Sequence, residues 1–88
     1  MKKEFINPFT YNLPTLDLHG VDRFYAKLKT NEFISDNYKL NNKKIIIIHG
    51  IGKGIIKESV HEELKRNKIV KKYYFDNLNI GQTLIELQ

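Results

Sequence analysis

Asp17 and His19 stand two positions apart, and a second histidine, His49, follows thirty residues later. Each of these histidines runs directly into glycine, in Asp17-Leu18-His19-Gly20 and in His49-Gly50-Ile51-Gly52-Lys53-Gly54. Imidazole exchanges protons near neutral pH, and a carboxylate can orient it or raise its basicity, so the three side chains have the makings of general acid and base catalysis. The glycines add a second capacity. A loop with Gly50, Gly52 and Gly54 can approach a ligand closely and offer free amides to a phosphate, while Lys53 and Lys57 bring positive charge to the same place. The spacing is neither the GxGxxG of dinucleotide sites nor the GxxxxGK[ST] of nucleoside triphosphatases, so neither NAD nor a nucleoside triphosphate is expected. A lone Asp or His at a strand end is more often structural; the case for a site rests on the combination. The third histidine, His61, reads as an ordinary surface residue of a helix.

The elements that must hold these residues can be read from hydropathy. Leu16-Asp17-Leu18-His19 alternates apolar and polar after Pro14 and stops at Gly20, which predicts a short strand with Asp17 and His19 facing the same way. Residues 21–38 contain no Gly or Pro, and Val21, Phe24, Tyr25 and Leu28 follow helical spacing. Ala26, Phe33 and Ile34 fall on a different stripe, so this helix is expected to touch more than one surface. After the turn signal Asn41-Asn42, the run Ile45-Ile46-Ile47-Ile48 predicts a central strand buried on both faces, with helices on either side. A second helix is expected over residues 55–67, with Ile56, Val60 and Leu64 recurring every fourth residue and Glu62 pairing with Arg66 outside. Residues 69–75 and 82–87 read as two further strands around a turn beginning at Asp76-Asn77. The order is βαβαββ. Right-handed crossovers then give an α/β domain with two helices, a four-stranded mixed sheet, parallel first strands and a C-terminal hairpin. The loops after the first two strands open at one edge, the usual ligand edge of such sheets, and bring His19 and His49 together.

With 88 residues the chain holds one core and no second domain. Residues 1–13, with Asn7-Pro8 and no clean period, are expected to form an extended arm anchored by Phe5, Phe9 and Tyr11; the domain proper is residues 14–88. The absence of cysteine excludes disulfides and thiolate zinc sites, and no structural metal is expected from three histidines. No apolar run reaches the roughly 18 to 20 residues of a membrane span, and no signal peptide is evident, so a cytoplasmic, membrane-free protein is expected. The net charge of +5 favours a polyanionic partner. An A- and T-rich genome accounts for abundant Lys, Ile and Asn equally well, so charge is supporting evidence alone.

The motifs carry a resemblance. Leu16-Asp17-Leu18-His19-Gly20 resembles the LDLHG signature of the Smr (small MutS-related) domain family, the segment from His49 to Gly54 matches its HGxGxG motif, and Gly81-Gln82-Thr83-Leu84-Ile85-Glu86-Leu87 is similar to its closing GxTxVxL strand. The match runs from Pro14 to the C-terminus. It implies a βαβαββ fold and a partner that is RNA or DNA, since the family, found fused to MutS2 proteins and as separate small proteins, includes DNA-nicking and RNA-cleaving nucleases, some acting at ribosomes, as well as members that only bind. The DLH form is the one associated with cleavage. Two departures stand out: Ile51 occupies a position that is commonly basic, with the lysine at 53 instead, and the loop over residues 76–80 is short.

The leading expectation is therefore an endonuclease with Asp17, His19 and His49 as catalytic residues and Gly50, Gly52, Lys53, Gly54 and Lys57 as the phosphate site. Asp17 or His19 takes a proton from the attacking oxygen, and His49 protonates the leaving oxygen or steadies the phosphate. Attack by an RNA 2′-hydroxyl needs no cofactor; attack by water on DNA favours a divalent cation at Asp17. The alternatives are a non-catalytic module that binds nucleic acid or a ribosome surface, and a remnant of a MutS2-like protein that acts through partners.

Overall fold

A computed structural model describes residues 12–76 and 79–88. The expected arm over residues 1–13, with its anchors Phe5, Phe9 and Tyr11, lies outside the described residues except for Asn12 and Leu13. The element order is β1 (Thr15–Asp17), α1 (Arg23–Lys39), β2 (Lys44–Ile48), α2 (Ile55–Arg66), β3 (Val70–Phe75) and β4 (Gln82–Leu87). The sheet runs β1-β2-β4-β3. β1 and β2 are parallel with Leu16 beside Ile47, β4 is antiparallel to β2 with Thr83 beside Ile47, and β3 is antiparallel to β4 with Phe75 beside Thr83. This is the expected βαβαββ domain with a four-stranded mixed sheet.

β2 is the axis of the sheet, and Ile45, Ile46 and Ile47 are all buried. Alternation sends Ile45 and Ile47 to one face, where they join Ala26 and Ile34 of α1 and Val60 and Leu64 of α2 in a single cluster. Both helices thus cover the same face of β2. This corrects the expectation of a helix on either side: both crossovers step the same way across the sheet, and right-handed crossovers in one direction leave their helices on one side. The helices also meet each other, through Asn31 Nδ2 donating to Glu63 Oε1 at 2.7 Å and Asn67 Nδ2 donating to Asn31 Oδ1 at 3.0 Å. Glu62, expected to pair with Arg66, instead reaches Lys27 of α1 at 3.0 Å, and Arg66 lies 3.9 Å from Glu63.

The start of α1 is set by Asp22, whose carboxylate accepts the Tyr25 N–H at 2.8 Å. Its end is set by Asn41, which takes the left-handed conformation (φ 64°) that stops a helix. The buried stripe between them is Ala26, Thr30, Ile34 and Asn37, whereas Phe24, Tyr25 and Leu28 are exposed. Apolar spacing therefore identified the outer stripe, because two of the four inward positions are polar. Asn37 resolves its burial by donating to the Phe33 carbonyl at 2.8 Å and accepting from Asn42 at 2.8 Å. Thr30 does not: it is fully buried, and among the described residues its hydroxyl has no hydrogen-bond partner.

An unpartnered buried hydroxyl costs about 1 to 3 kcal/mol in desolvation. Thr30→Val keeps the β-branched shape and removes that group, so it is expected to raise stability by about 1 kcal/mol, read as a higher urea midpoint with an unchanged denaturant slope.

Candidate active site

Parallel β1 and β2 end at the same edge of the sheet, and the segments that follow them form one open pocket of about 620 Å³. Asp17, His19, His49, Gly50, Gly52, Lys53 and Gly54 all line it. Of the residues singled out by the sequence, Lys57 alone lies apart. It lines an adjoining groove of about 530 Å³, joined to the pocket through Lys53 and Gly54.

The two sides of the pocket differ in character. β1 ends at Asp17, two residues earlier than the alternating pattern implied, because the Asp17 carboxylate accepts the His19 N–H at 2.9 Å and folds the chain over. His19 consequently sits in a turn, not in register on a strand face. Both side chains are exposed at the pocket.

His49 is buried, 7 % exposed, on the core side of the sheet. Its Nδ1 lies 2.9 Å from the Gly50 carbonyl and its Nε2 lies 2.9 Å from the Thr83 hydroxyl. A carbonyl only accepts, so in the neutral ring Nδ1 carries the hydrogen and Nε2 accepts the Thr83 O–H. The Thr83 oxygen in turn lies 2.8 Å from His61 Nε2, which completes the chain as its donor. The order is His61 to Thr83 to His49 to the Gly50 carbonyl. Both His49 nitrogens are thus engaged inside the protein.

Burial is the main influence on both rings. It lowers the His49 pKa, partly offset by the Gly50 carbonyl and reinforced by Lys57. It lowers His61 to about 4, with the charges of His49, Lys57 and Lys65 adding to the effect. His61 packs its ring 5.7 Å from His49 edge-on and 5.2 Å from both Tyr73 and Phe75. The reading of His61 as an ordinary surface residue is therefore corrected: it is half-buried and closes the polar chain behind the pocket. Thr83, named in the sequence only as part of the closing strand motif, was given no role. The signal for it was its parity with Ile85 and Leu87, which makes it the polar member of an inward stripe and in need of a polar partner.

Gly81, immediately ahead of β4, also fixes the start of the loop. The Gly81 carbonyl accepts both the His49 and Gly50 N–H groups, each at 2.9 Å. Gly50 and Gly54 take φ near +80°, a region closed to most side chains, and Gly54 is the N-cap of α2. Neither would bring an added Cβ into contact with other atoms, so the demand for glycine here is conformational. Among the described residues no three His, Cys, Asp or Glu side chains gather as a metal site.

Removal of the bridging hydroxyl by Thr83→Val leaves a buried imidazole nitrogen without its partner, and is expected to cost about 2 kcal/mol in urea unfolding. The pH dependence has a definite sign. Between the ordinary imidazole value of 6.5 and about 4, the unfolded chain takes up a proton on His61 that the folded chain resists. Stability is therefore held above pH 6.5 and falls as pH drops toward 4. His61→Gln, which keeps an N–H donor for Thr83, is expected to shrink the difference between urea midpoints measured at neutral and mildly acid pH.

Comparison with known proteins fits this architecture. The model of the Smr domain family matches residues 16–87. The endonuclease MutS2 of Clostridium tetani is 33 % identical over 76 residues, covering 83 % of this chain and 10 % of that protein. MutS2 of Lactococcus lactis subsp. cremoris is 35 % identical over 66 residues, covering 75 % of this chain and 8 % of its own length. The chain thus spans about a tenth of the length of these curated relatives. The Smr domain of Thermus thermophilus MutS2 shares the fold with a TM-score of 0.83 at 23 % identity, covering 86 % of this chain and 99 % of that one. YdaL, a stand-alone small MutS-related protein from Escherichia coli, gives 0.79 at 19 % identity, covering 84 % and 63 %. A family match over nearly the whole described domain, on a fold reached separately from its own topology, makes this chain a member of the Smr domain family.

Proposed function

We propose that the domain binds nucleic acid at its glycine loop and cuts a phosphodiester bond in the pocket beside it. The observation that carries this reading is the meeting of exposed Asp17 and His19 with the Gly50–Gly54 loop and Lys53 around one open pocket. Loop amides ahead of a helix, with a lysine among them, suit a phosphate, and the opposite wall supplies the groups that move protons. The curated relatives named endonuclease supply the reaction class.

On an RNA strand the 2′-oxygen attacks phosphorus, His19 takes its proton, and the bond to the 5′-oxygen breaks to leave a cyclic phosphate and a 5′-hydroxyl end. Asp17 holds the turn that presents His19 and places a carboxylate beside it. The loop amides and Lys53 offset the charge that grows on the phosphoryl oxygens. His49 acts at one remove in this scheme. With both nitrogens engaged it holds the Gly50 carbonyl, and so the loop, and the proton for the leaving oxygen comes from His19 or from water.

The test is cleavage of end-labelled single-stranded RNA and matched DNA, with and without EDTA, by the purified chain and by Asp17→Ala and His19→Ala. RNA cutting that survives EDTA and falls at least ~100-fold in His19→Ala supports the metal-free route. DNA cutting abolished by EDTA points instead to water attack assisted by a divalent cation at Asp17. No cutting of either strand, with salt-sensitive binding retained in all three proteins, leaves a binding module and ends the nuclease reading.

A further inference from the structure

The groove that adjoins the pocket is not used by the chemistry above. One wall is a stripe of α2 at four-residue spacing, Lys57, His61 and Lys65, and Lys53 stands at its mouth where it meets the pocket. By helical rise, Lys57 and Lys65 are about 12 Å apart along the axis. Two acidic residues, Glu58 and Glu62, also border it, but Glu62 is turned to Lys27 at 3.0 Å, so the groove keeps an excess of positive charge. Beside it, at the end of edge strand β3, Phe75 is 61 % exposed. Its ring is steadied by His61 at 5.2 Å, and Lys57 Nζ lies 4.7 Å from its centroid. An exposed aromatic ring packed against His61, with a lysine lying over it that can swing away, is an arrangement that can stack an unpaired base while the cations follow the backbone.

We infer that this groove takes the single-stranded flank of the nucleic acid, with one unpaired base stacked on Phe75 and the backbone running from the Gly50–Gly54 loop along Lys53, Lys57 and Lys65. The inference rests on the nucleic-acid reading of the pocket and deepens it by naming the strand state. A base stacked on Phe75 takes the place Lys57 occupies over the ring, and Lys57, on its flexible stem, turns to a phosphate. A duplex has no free base face to offer. It meets the lysines alone.

Binding of a labelled single-stranded 12-nucleotide RNA, its DNA counterpart and the matched DNA duplex is measured by anisotropy over a salt series. The parent is His19→Ala, with EDTA present, chosen so that strands stay whole, and the added changes are Phe75→Ala, Phe75→Leu and the pair Lys57→Gln with Lys65→Gln. Thermal unfolding confirms that each variant is folded. Phe75→Ala is expected to weaken single-strand binding about ten-fold and leave the duplex unchanged. Phe75→Leu, which keeps apolar area but has no ring face, is expected to do the same. The lysine pair is expected to lower the single-strand salt slope by about 1.4. Equal loss on duplex and single strand, or no loss in either Phe75 variant while the parent still binds, overturns the stacking assignment and leaves the pocket reading standing. Failure of the parent to bind any strand, together with no binding by the unaltered chain, overturns both.

Discussion

The geometry of the pocket depends on what β4 does to the end of β2. Gly81 gives one carbonyl to two successive amides, those of His49 and Gly50, and two residues on Thr83 ties the His49 ring to His61 of α2. One short stretch of strand thereby fixes the backbone where the glycine loop begins, the ring that holds the Gly50 carbonyl, and the helix at the loop's far end. A Cβ at position 81 would meet the Gly50 Cα at 3.5 Å, an ordinary contact, and Asn79 Oδ1 at 3.3 Å, a side-chain atom that has to give only slightly, so the clamp rests on the shared carbonyl more than on the absence of a side chain. Without this anchoring, a loop containing Gly50, Gly52 and Gly54 would lose much backbone entropy on ordering and have little to offset it.

The site divides into a dry side and a wet side. His49 and His61 lie behind the loop, are pushed toward the neutral form by burial, and serve as fixed hydrogen-bonding groups. Asp17 and His19 lie in front of it and are open to solvent. Neutrality is what the inner pair requires, since a proton on His49 Nε2 would face the Thr83 hydroxyl donor to donor until that hydroxyl turned away, and would then compete with His61 for its oxygen. The nearby lysines, Lys57 and Lys65, push in the same direction as burial. Positive charge that suits a phosphate thus also keeps the supporting histidines in the state that holds the loop.

Much of this was legible in the sequence, and the failures have physical causes. β2, α2 and β4 were readable because their burial is carried by long runs or strict periods of Ile, Val and Leu. The inward stripe of α1 was not, because Thr30 and Asn37 occupy half of it and the large apolar residues Phe24, Tyr25 and Leu28 point outward. The placement of both helices on one face follows from crossover direction, which hydropathy does not encode. Asp17 and His19 drew attention by their types and spacing, yet the turn between them depends on a side-chain oxygen capping a backbone amide, which ends the alternating pattern early. His61 and Thr83 are separated by 22 positions and neither is unusual alone, so their bond was invisible until the sheet register was known.

α2 is the element on which both halves of the functional surface converge. Its inward stripe, Val60 and Leu64, packs on the sheet, and its outward stripe, Lys57 and Lys65, lines the groove, with His61 linking the two. Position along the loop then decides which charge reaches which space. Ile51, 65 % exposed, puts an apolar side chain at the pocket rim, while Lys53 borders both the pocket and the groove. A basic residue at 51 would border the pocket alone; the lysine at 53 stands at the junction, where, on the proposed reading, one cation can meet the phosphate in the pocket or the next along the strand. Placing the lysine at 53 and an isoleucine at 51 thus shifts positive charge from the pocket rim toward the groove, the path by which, on the proposed reading, a strand would enter.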